Sequence, residues 1–269
     1  MNPAPGDIPR VLSIAGSDSG GGAGIQADLK AIARCGAHGM TAITAITAQN
    51  TVGVDAVESV SPAMIVAQIE AVASDIGVDA VKVGMLGTTE TIEAVIEGLG
   101  MTGDAPVVVD PVMVSETGSS LLDDEARSAL VEGILPLASF ATPNIPEARA
   151  LAGLGPDSSQ ADLALAVHAL GPTFVVVTGG HSEGLVDVFF DGSELHEIEG
   201  PRYHATSSHG SGCTHSSALA SYLALGLDPL AAVRSARALA AEAVGNGLDS
   251  IGEGPGPVDV FGLNGELPH

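Results

Sequence analysis

Two glycine-rich segments of the sequence have the composition of phosphate-binding loops. Residues 16–24 contain five glycines, and residues 208–214 combine two glycines with two serines and a cysteine. A helix-like stretch follows each segment, so free backbone N–H groups would point at a ligand at the start of each helix. For the first segment, a flexible connection between a strand and a helix is the alternative. The second is predicted to be an anion hole formed by Gly210, Ser211, Gly212 and Cys213.

Cys213 gives the second segment a side chain that could act as a base or a nucleophile. At the start of a helix, the helix dipole lowers the pKa of a thiol. The alternative, a small buried cysteine, is at least as common at such a position. His209 and His215 are close in sequence, but a histidine two residues after the cysteine lies on a different helix face. Anion binding is therefore favoured over hydrolysis by a cysteine–histidine pair.

Three oxygen-bearing side chains are candidates for a magnesium site. Asp110 follows an apolar strand, and Asn144 and Glu147 are one helical turn apart. Together they could place oxygen ligands around a hydrated Mg²⁺. Ordinary capping of a helix N-terminus explains Asn144 and Glu147 equally well.

Polar and small residues follow two further apolar strands. Gln49 ends one of them, and its amide could pair with the edge of a heteroaromatic ring, although a lone amide is usually a turn residue. Thr178 and Gly180 belong to a small-residue loop after another strand, where a nucleotide could lie.

These residues require a fold that brings several strand ends together. Apolar strands and amphipathic helices alternate along the chain, which predicts an α/β fold with a mostly parallel central sheet and helices on both faces. Ligands bind to such sheets beyond the carboxyl ends of the strands, where each candidate segment falls. Strands are predicted at residues 11–15, 40–48, 54–60, 80–83, 107–110, 140–142, 174–178, 186–190 and 194–198. Helices are predicted at residues 25–33, 62–75, 89–98, 123–135, 147–154, 161–170, 212–225 and 228–244.

No internal repeat or linker divides the sequence. We expect a single domain from residue 10 to 269, preceded by a disordered or loosely attached segment, residues 1–9. Two cysteines without metal-binding spacing, no signal-peptide core and no long apolar run predict a cytoplasmic protein.

The charge of the chain is strongly negative. The 269 residues include 33 Asp and Glu but only 9 Lys and Arg, a formal net charge of -24. So few basic residues cannot form the stripe that binds a nucleic acid or an anionic membrane. Two explanations remain open: adaptation of the surface to high salt, and a merely acidic cytoplasmic protein.

Taken together, the segments resemble the ribokinase-like superfamily, and within it the hydroxymethylpyrimidine/phosphomethylpyrimidine kinases of thiamine biosynthesis. The resemblance covers nearly the whole chain and keeps the order of the family's motifs. The segments that carry it are residues 15–30, 48–51, 82–86, 110–113, 142–147 and 209–214.

The resemblance implies a three-layer ribokinase-like fold and a kinase that depends on ATP and Mg²⁺. It implies transfer to 4-amino-5-hydroxymethyl-2-methylpyrimidine and then to its monophosphate. Gln49 would pair with the aminopyrimidine, and Asp28 would hold the hydroxymethyl group. The implied substrate-binding residues are Gly16, Ala23, Asp28, Gln49, Met85 and Val112.

The remaining implied roles concern the phosphates. Cys213 would act as an optional base in the anion hole, and Asp110 and Glu147 would hold the metal. Asn144, Glu147, Thr178 and Gly180 would contact ATP, and a homodimer is expected.

One departure from the family affects the charge of the site. The family usually has a lysine that reaches the ATP phosphates where Thr178 stands here. Transition-state charge would then be met by Mg²⁺ and backbone N–H groups alone, or by a monovalent cation.

The alternatives to a pyrimidine kinase are a pyridoxal or pyridoxine kinase and a non-catalytic pyrimidine sensor. Residues 115–120 are a candidate lid because of their Gly, Ser and Thr content.

Overall fold

The computed structural model describes residues 7–113, 122–179, 186–201 and 207–263. The candidate lid at residues 115–120 and Gly180 lie outside the described residues. Of the segment predicted to be loosely attached, Pro9 is buried, and its carbonyl accepts a hydrogen bond from the backbone N–H of His38 at 2.7 Å.

The predicted alternation of strands and helices is present throughout the described residues. The strands are β1 (Arg10–Asp18), β2 (His38–Gln49), β3 (Val54–Ser59), β4 (Ala80–Val83), β5 (Val107–Val109), β6 (Phe140–Ala141), β7 (Phe174–Val177), β8 (Asp187–Phe190) and β9 (Leu195–Ile198). The helices are α1 (Gly24–Arg34), α2 (Pro62–Asp75), α3 (Thr89–Leu99), α4 (Asp124–Ala129), α5 (Ile145–Ala152), α6 (Gln160–His168), α7 (Ser211–Ala224) and α8 (Pro229–Gly245).

All nine of these strands form one sheet, in the order β3-β2-β1-β4-β5-β6-β7-β8-β9. Six neighbouring strands of the sheet, β2, β1, β4, β5, β6 and β7, are parallel. The outer strands β3 and β8 run antiparallel to their neighbours, as does β9 to β8. The predicted mostly parallel sheet is therefore confirmed.

Each face of the sheet has its own hydrophobic core. Side chains alternate across the strands, so Leu12 and Ile14 of β1 face one core, whereas Val11 faces the other. Helices α2 to α6 cover the first face, and α1, α7 and α8 cover the second. Because both faces are buried, β5 and β7 are apolar throughout, whereas β1 and β4 carry the buried polar residues Ser13 and Lys82. The result is the predicted three-layer α/β architecture.

One predicted helix differs in its geometry. Residues 123–135 were expected to be a single helix, but α4 continues as a wide π-helical turn (Leu130–Ile134) and a short 3₁₀ turn (Leu135–Leu137). Pro136 lies in the last turn and has no N–H to donate to a regular helix. None of the described helices combines the length and apolar character needed to cross a membrane.

Candidate active site

A cavity of about 360 Å³ opens at the carboxyl edge of the parallel strands. The ends of β1, β2, β4, β5, β6 and β7 each contribute residues to its wall, as expected for a parallel sheet. Strand β8 runs in the opposite direction, so its first residue, Asp187, lies at the same edge. The first turns of α7 and part of α8 close the cavity on one side.

Most of the predicted site residues come together in this cavity. The acceptor-binding candidates that line it are Gly16, Ala23, Gln49, Met85 and Val112. The phosphate- and metal-binding candidates that line it are Asp110, Asn144, Glu147, Thr178, Gly210, Ser211, Gly212 and Cys213. Their roles stay predictions.

Asp28 is the exception, and its predicted contact with the substrate is wrong. Its residue exposure is 0%, and it does not line the cavity. The Nζ atom of Lys82 lies 2.8 and 3.0 Å from its two carboxylate oxygens, and the hydroxyls of Ser13 and Ser217 donate to it at 2.6 and 2.8 Å. This carboxylate is already occupied by the buried lysine that lies beneath the cavity, so it has no exposed face for a hydroxymethyl group.

Lys82 lies at the floor of the cavity, paired with Asp28. Burial by itself would lower its pKa, but the carboxylates of Asp28 and Asp110 raise it above the ordinary lysine value. The ion pair with Asp28 is fully enclosed, and breaking such a pair by removing one partner is costly.

The two glycine-rich segments interlock at the start of α7. Gly210 caps this helix with a left-handed backbone, φ 83°, and a Cβ there would overlap the carbonyl oxygen of Gly22. A Cβ at Gly22 would in turn overlap the ring of His209. Only glycine allows the two backbones to approach this closely.

Asp18 and His209 fasten these segments together with polar contacts. Asp18 accepts hydrogen bonds from the backbone N–H groups of Gly20, Gly22 and Ala23 at 2.8 to 3.0 Å, and Nε2 of His209 lies 3.1 Å from its carboxylate. Burial raises the pKa of Asp18, but these hydrogen bonds, led by that of His209, leave the pKa below its usual value. Both residues occur in the motifs quoted above, but sequence spacing gave no sign that they pair.

The expected lowering of the pKa of Cys213 is wrong. Burial, together with the carboxylates of Asp28 and Asp110, raises its pKa to about 12. Lys82 and the backbone N–H of Gly24 act in the opposite direction but do not prevail. The thiol at the third position of α7 is therefore neutral in the free protein.

Asn144 and Glu147 form a capping box at the start of α5. The Asn144 side chain accepts from the Glu147 backbone N–H at 2.9 Å, and Glu147 Oε2 accepts from the Asn144 backbone N–H at 2.9 Å. The capping interpretation is thus confirmed, and both side chains also line the cavity.

Two buried carboxylates, those of Asp110 and Glu147, line the cavity near the start of α5. Burial and the neighbouring Asp110 raise the pKa of Glu147 to about 8, and burial also raises the pKa of Asp110. Such a pair favours a divalent cation, and Mg²⁺ typically takes one or two carboxylates with substrate phosphates and water. In the described part of the chain, no three His, Cys, Asp or Glu side chains form a metal cluster on their own. The two carboxylates therefore fit a metal that arrives with a phosphate ligand.

A second polar cluster, Asp187, His215 and Arg237, lies at the wall of the cavity near Thr178 and was not predicted. Arg237 of α8 lines the cavity, and its Nε lies 3.3 Å from Asp187 Oδ2. His215 of α7 lines it as well, and its pKa is lowered by burial and by Arg237. Two cationic side chains, Lys82 and Arg237, also line this cavity, each beside a carboxylate. The expectation that only Mg²⁺, backbone N–H groups or a monovalent cation meet the phosphate charge stays a prediction.

With this geometry established, comparison with known proteins identifies the family. The sequence matches the phosphomethylpyrimidine kinase family over residues 18–259. The chain belongs to this family. A hydroxymethylpyrimidine/phosphomethylpyrimidine kinase of Rhizobium meliloti is 48% identical over 257 residues, which cover 93% of this kinase and 96% of the relative. The resemblance predicted from the motifs is confirmed.

Solved structures agree with the fold of the kinase. The pyridoxal kinase from Staphylococcus aureus, in complex with AMP-PCP and pyridoxal, superposes with a TM-score of 0.86 at 36% identity, covering 96% of each chain. A phosphomethylpyrimidine kinase from Clostridium difficile has a TM-score of 0.75 at 43% identity, covering 85% of this chain and 96% of that one. The ribokinase-like α/β fold is therefore shared with kinases of both substrate classes.

Proposed function

We propose that this kinase transfers a phosphoryl group from ATP to 4-amino-5-hydroxymethyl-2-methylpyrimidine and then to the resulting monophosphate. The observation that carries the proposal is that the candidate residues for binding the acceptor and those for binding phosphate line the same cavity. Gln49 and Met85 lie in the acceptor-binding wall, and the start of α7 from Gly210 to Cys213 forms the phosphate-binding wall. Membership of the family and the ATP analogue bound to a close structural relative support ATP as the donor.

The acceptor would lie between the end of β2 and the loops after β4 and β5. The Gln49 amide offers a donor and an acceptor to adjacent ring-nitrogen and amino groups of an aminopyrimidine. Thr47 Oγ1 lies 3.2 Å from Gln49 Oε1 and 2.9 Å from the carbonyl oxygen of Ser17, so its single proton can be donated to only one of them. Gly16, Ala23, Met85 and Val112 supply the surrounding small and apolar walls.

The phosphoryl group would be transferred beside the start of α7. Phosphoryl transfer depends mainly on positioning and on stabilising the charge of the transition state. The backbone N–H groups at the start of α7 and the charge of Lys82 supply both without movement. A neutral Cys213 thiol is compatible with this chemistry, because a preformed thiolate is not needed for it.

Asp110 and Glu147 would hold Mg²⁺ together with the phosphates of ATP. When bound, the metal neutralises phosphate charge and orients the phosphoryl group. In its absence, the two carboxylates raise the energy of each other's charged form. The capping box keeps Glu147 in place at the cavity wall whether or not the metal is bound.

A coupled assay of ADP release tests the proposal. The purified protein is given ATP and Mg²⁺ with the pyrimidine alcohol, its monophosphate or pyridoxal, each at low and high KCl and in KCl or NaCl. We expect turnover with both pyrimidine compounds and loss of turnover when Mg²⁺ is chelated. Binding of the pyrimidine without turnover would instead favour the sensor, and turnover with neither pyrimidine would refute the proposed acceptor.

Pyridoxal is the second candidate acceptor. It is favoured by the close structural match to a pyridoxal kinase, whereas the higher sequence identity to phosphomethylpyrimidine kinases favours the pyrimidine. The ratio of kcat/KM values in the same assay decides between them. A homodimer and a cytoplasmic location stay predictions, which light scattering and cell fractionation can test.

A further inference from the structure

The wall of the cavity near Thr178 carries a positively charged side chain, Arg237, that the sequence motifs did not indicate. Residue 178 is a threonine, so the loop after β7 supplies no charge at the position where the resembled family usually has lysine. Arg237 comes from a different element, α8, but it lines the same cavity. Its side chain is only 12% exposed.

Arg237 is held beside the Thr178 loop by Asp187. The Nε atom of Arg237 lies 3.3 Å from Asp187 Oδ2, and Asp187 Oδ1 accepts the backbone N–H of Gly179 at 2.9 Å. One buried carboxylate therefore ties the guanidinium to the residue that directly follows Thr178. On another side, a Cβ at Gly200 would lie 3.0 to 3.1 Å from guanidinium atoms, so the backbone there packs closely against Arg237. The side chain is positioned before any ligand arrives.

His215 supplies a second, independent sign of a ligand at this wall. It is 4% exposed and lines the cavity, yet its Nε2 has no hydrogen-bond partner among the described residues. A buried ring nitrogen without a partner costs free energy, and such groups in folded proteins usually have one. An oxygen of a bound ligand at this wall would satisfy it.

We infer that Arg237, positioned by Asp187, binds the phosphate chain of ATP in place of a lysine at residue 178, with His215 donating a hydrogen bond to the same ligand. The inference rests on the proposed function, since it takes ATP as the donor. A guanidinium has five N–H donors in a planar fork, so it can face a carboxylate and a phosphate at the same time. The charge missing from the β7 loop is thus supplied from α8.

Binding of the ATP analogue AMP-PCP tests the inference without catalysis. In Arg237→Met we expect at least about tenfold weaker binding, because a charge-assisted hydrogen bond to phosphate is lost. The KM for the pyrimidine should change by less than about twofold, because its predicted site does not include α8. Arg234→Met is the matched control, since it removes the same charge from an exposed position of the same helix. His215→Phe, which keeps a ring but removes Nε2, should weaken analogue binding by about threefold or more.

A lysine introduced at residue 178, in the loop after β7, distinguishes a role of Arg237 in binding from a role in folding. Thr178→Lys, introduced into Arg237→Met, should recover most of the lost affinity, and Arg237→Lys should lose less than Arg237→Met. Asp187→Asn with Arg237→Gln keeps a neutral polar pair if the Met variant fails to fold, and it should show the same loss. Thermal unfolding of each variant reports its folding.

Two results would overturn the inference. One is equal analogue affinity in Arg237→Met and Arg234→Met, and the other is a loss that Thr178→Lys does not recover in a folded protein. If the pyrimidines prove not to be substrates but analogue binding still depends on Arg237, the proposed acceptor fails and the inference about ATP stands.

Discussion

Cys213 shows how a local environment can reverse the expectation for a single residue. A helix start alone lowers the pKa of a thiol, but burial and two neighbouring carboxylates raise that of Cys213 to about 12. Only a fraction on the order of one in ten thousand would be thiolate at pH 8, whereas an ordinary cysteine with a pKa of about 8.5 is about one quarter ionised.

The pH dependence of alkylation measures this ionisation. In Cys35→Ala, where Cys213 is the remaining cysteine, the rate with iodoacetamide should still rise about tenfold per pH unit at pH 10, because the thiol remains far below its pKa. A cysteine-containing peptide, as the control, should reach a plateau about one unit above its own pKa. A plateau for Cys213 below pH 8 would contradict the raised pKa.

The residues that the motifs predicted and those they missed differ in how they reach the cavity. Gln49 ends a strand, and Gly210 and Cys213 lie at the start of a helix, so their position in sequence already places them at the carboxyl edge. Arg237 lies in the third turn of α8, and it reaches the site only because α8 packs beside α7. Asp28 was misassigned for the opposite reason: it belongs to a quoted motif, but Lys82 draws its carboxylate into the core.

At the scale of elements, the phosphate-binding wall depends on the contact between α7 and the first glycine-rich segment. Gly210→Ala would place a methyl group against the carbonyl of Gly22 and would strain a left-handed backbone. We expect it to reduce kcat/KM by about 100-fold or more, because a displacement of about 1 Å in a phosphate site is enough to do so.

Gly36→Ala is a suitable control for Gly210→Ala. Gly36 has the same φ of 83°, but a Cβ there would meet nothing within 4 Å. Backbone strain alone should cost roughly 1 kcal/mol of stability and leave kcat/KM unchanged. If both variants lose stability equally and both keep full activity, the close approach of the two segments does not organise the site.

Secondary structure was the most predictable level of the fold. Helix α2 and strand β4 match their predicted bounds, because a proline starts the helix and a short run of alanine and valine, interrupted only by Lys82, marks the strand. The direction of β3 was not predictable, since its residues are consistent with either parallel or antiparallel pairing. The π-helical turn after α4 was also missed, because hydrophobic spacing does not distinguish wide turns from regular ones.

For the whole molecule, the charge of -24 is not reversed by the side chains of the site, since Asp18, Asp110, Glu147 and Asp187 line the cavity beside Lys82 and Arg237. Both proposed substrates that carry phosphate are anions, so the overall field opposes their approach. Within the cavity, Lys82, Arg237 and the backbone N–H groups at the start of α7 are the groups that could donate hydrogen bonds to a phosphate. Two of the nine basic residues, Lys82 and Arg237, thus line the cavity where phosphate is proposed to bind.

Much of this surface charge is self-repulsive. Glu90, Glu93 and Glu97 are exposed on α3, at spacings that put like charges next to each other on one helix face. At about 1 M salt the screening length falls to about 3 Å, so repulsion between exposed carboxylates nearly vanishes. A protein adapted to high salt should therefore unfold more easily in dilute buffer.

Thermal unfolding in dilute buffer and in about 1 M KCl tests this adaptation. We expect the midpoint to rise by about 5 °C in salt, equivalent to about 2 kcal/mol for a chain of this size. Glu93→Gln with Glu97→Gln should raise the midpoint in dilute buffer and reduce the effect of salt, because it removes two repelling charges. The control Ser128→Ala changes an exposed side chain without changing charge and should leave the salt effect intact. Identical midpoints for the unmodified protein in dilute buffer and in salt would favour a merely acidic protein over one adapted to high salt.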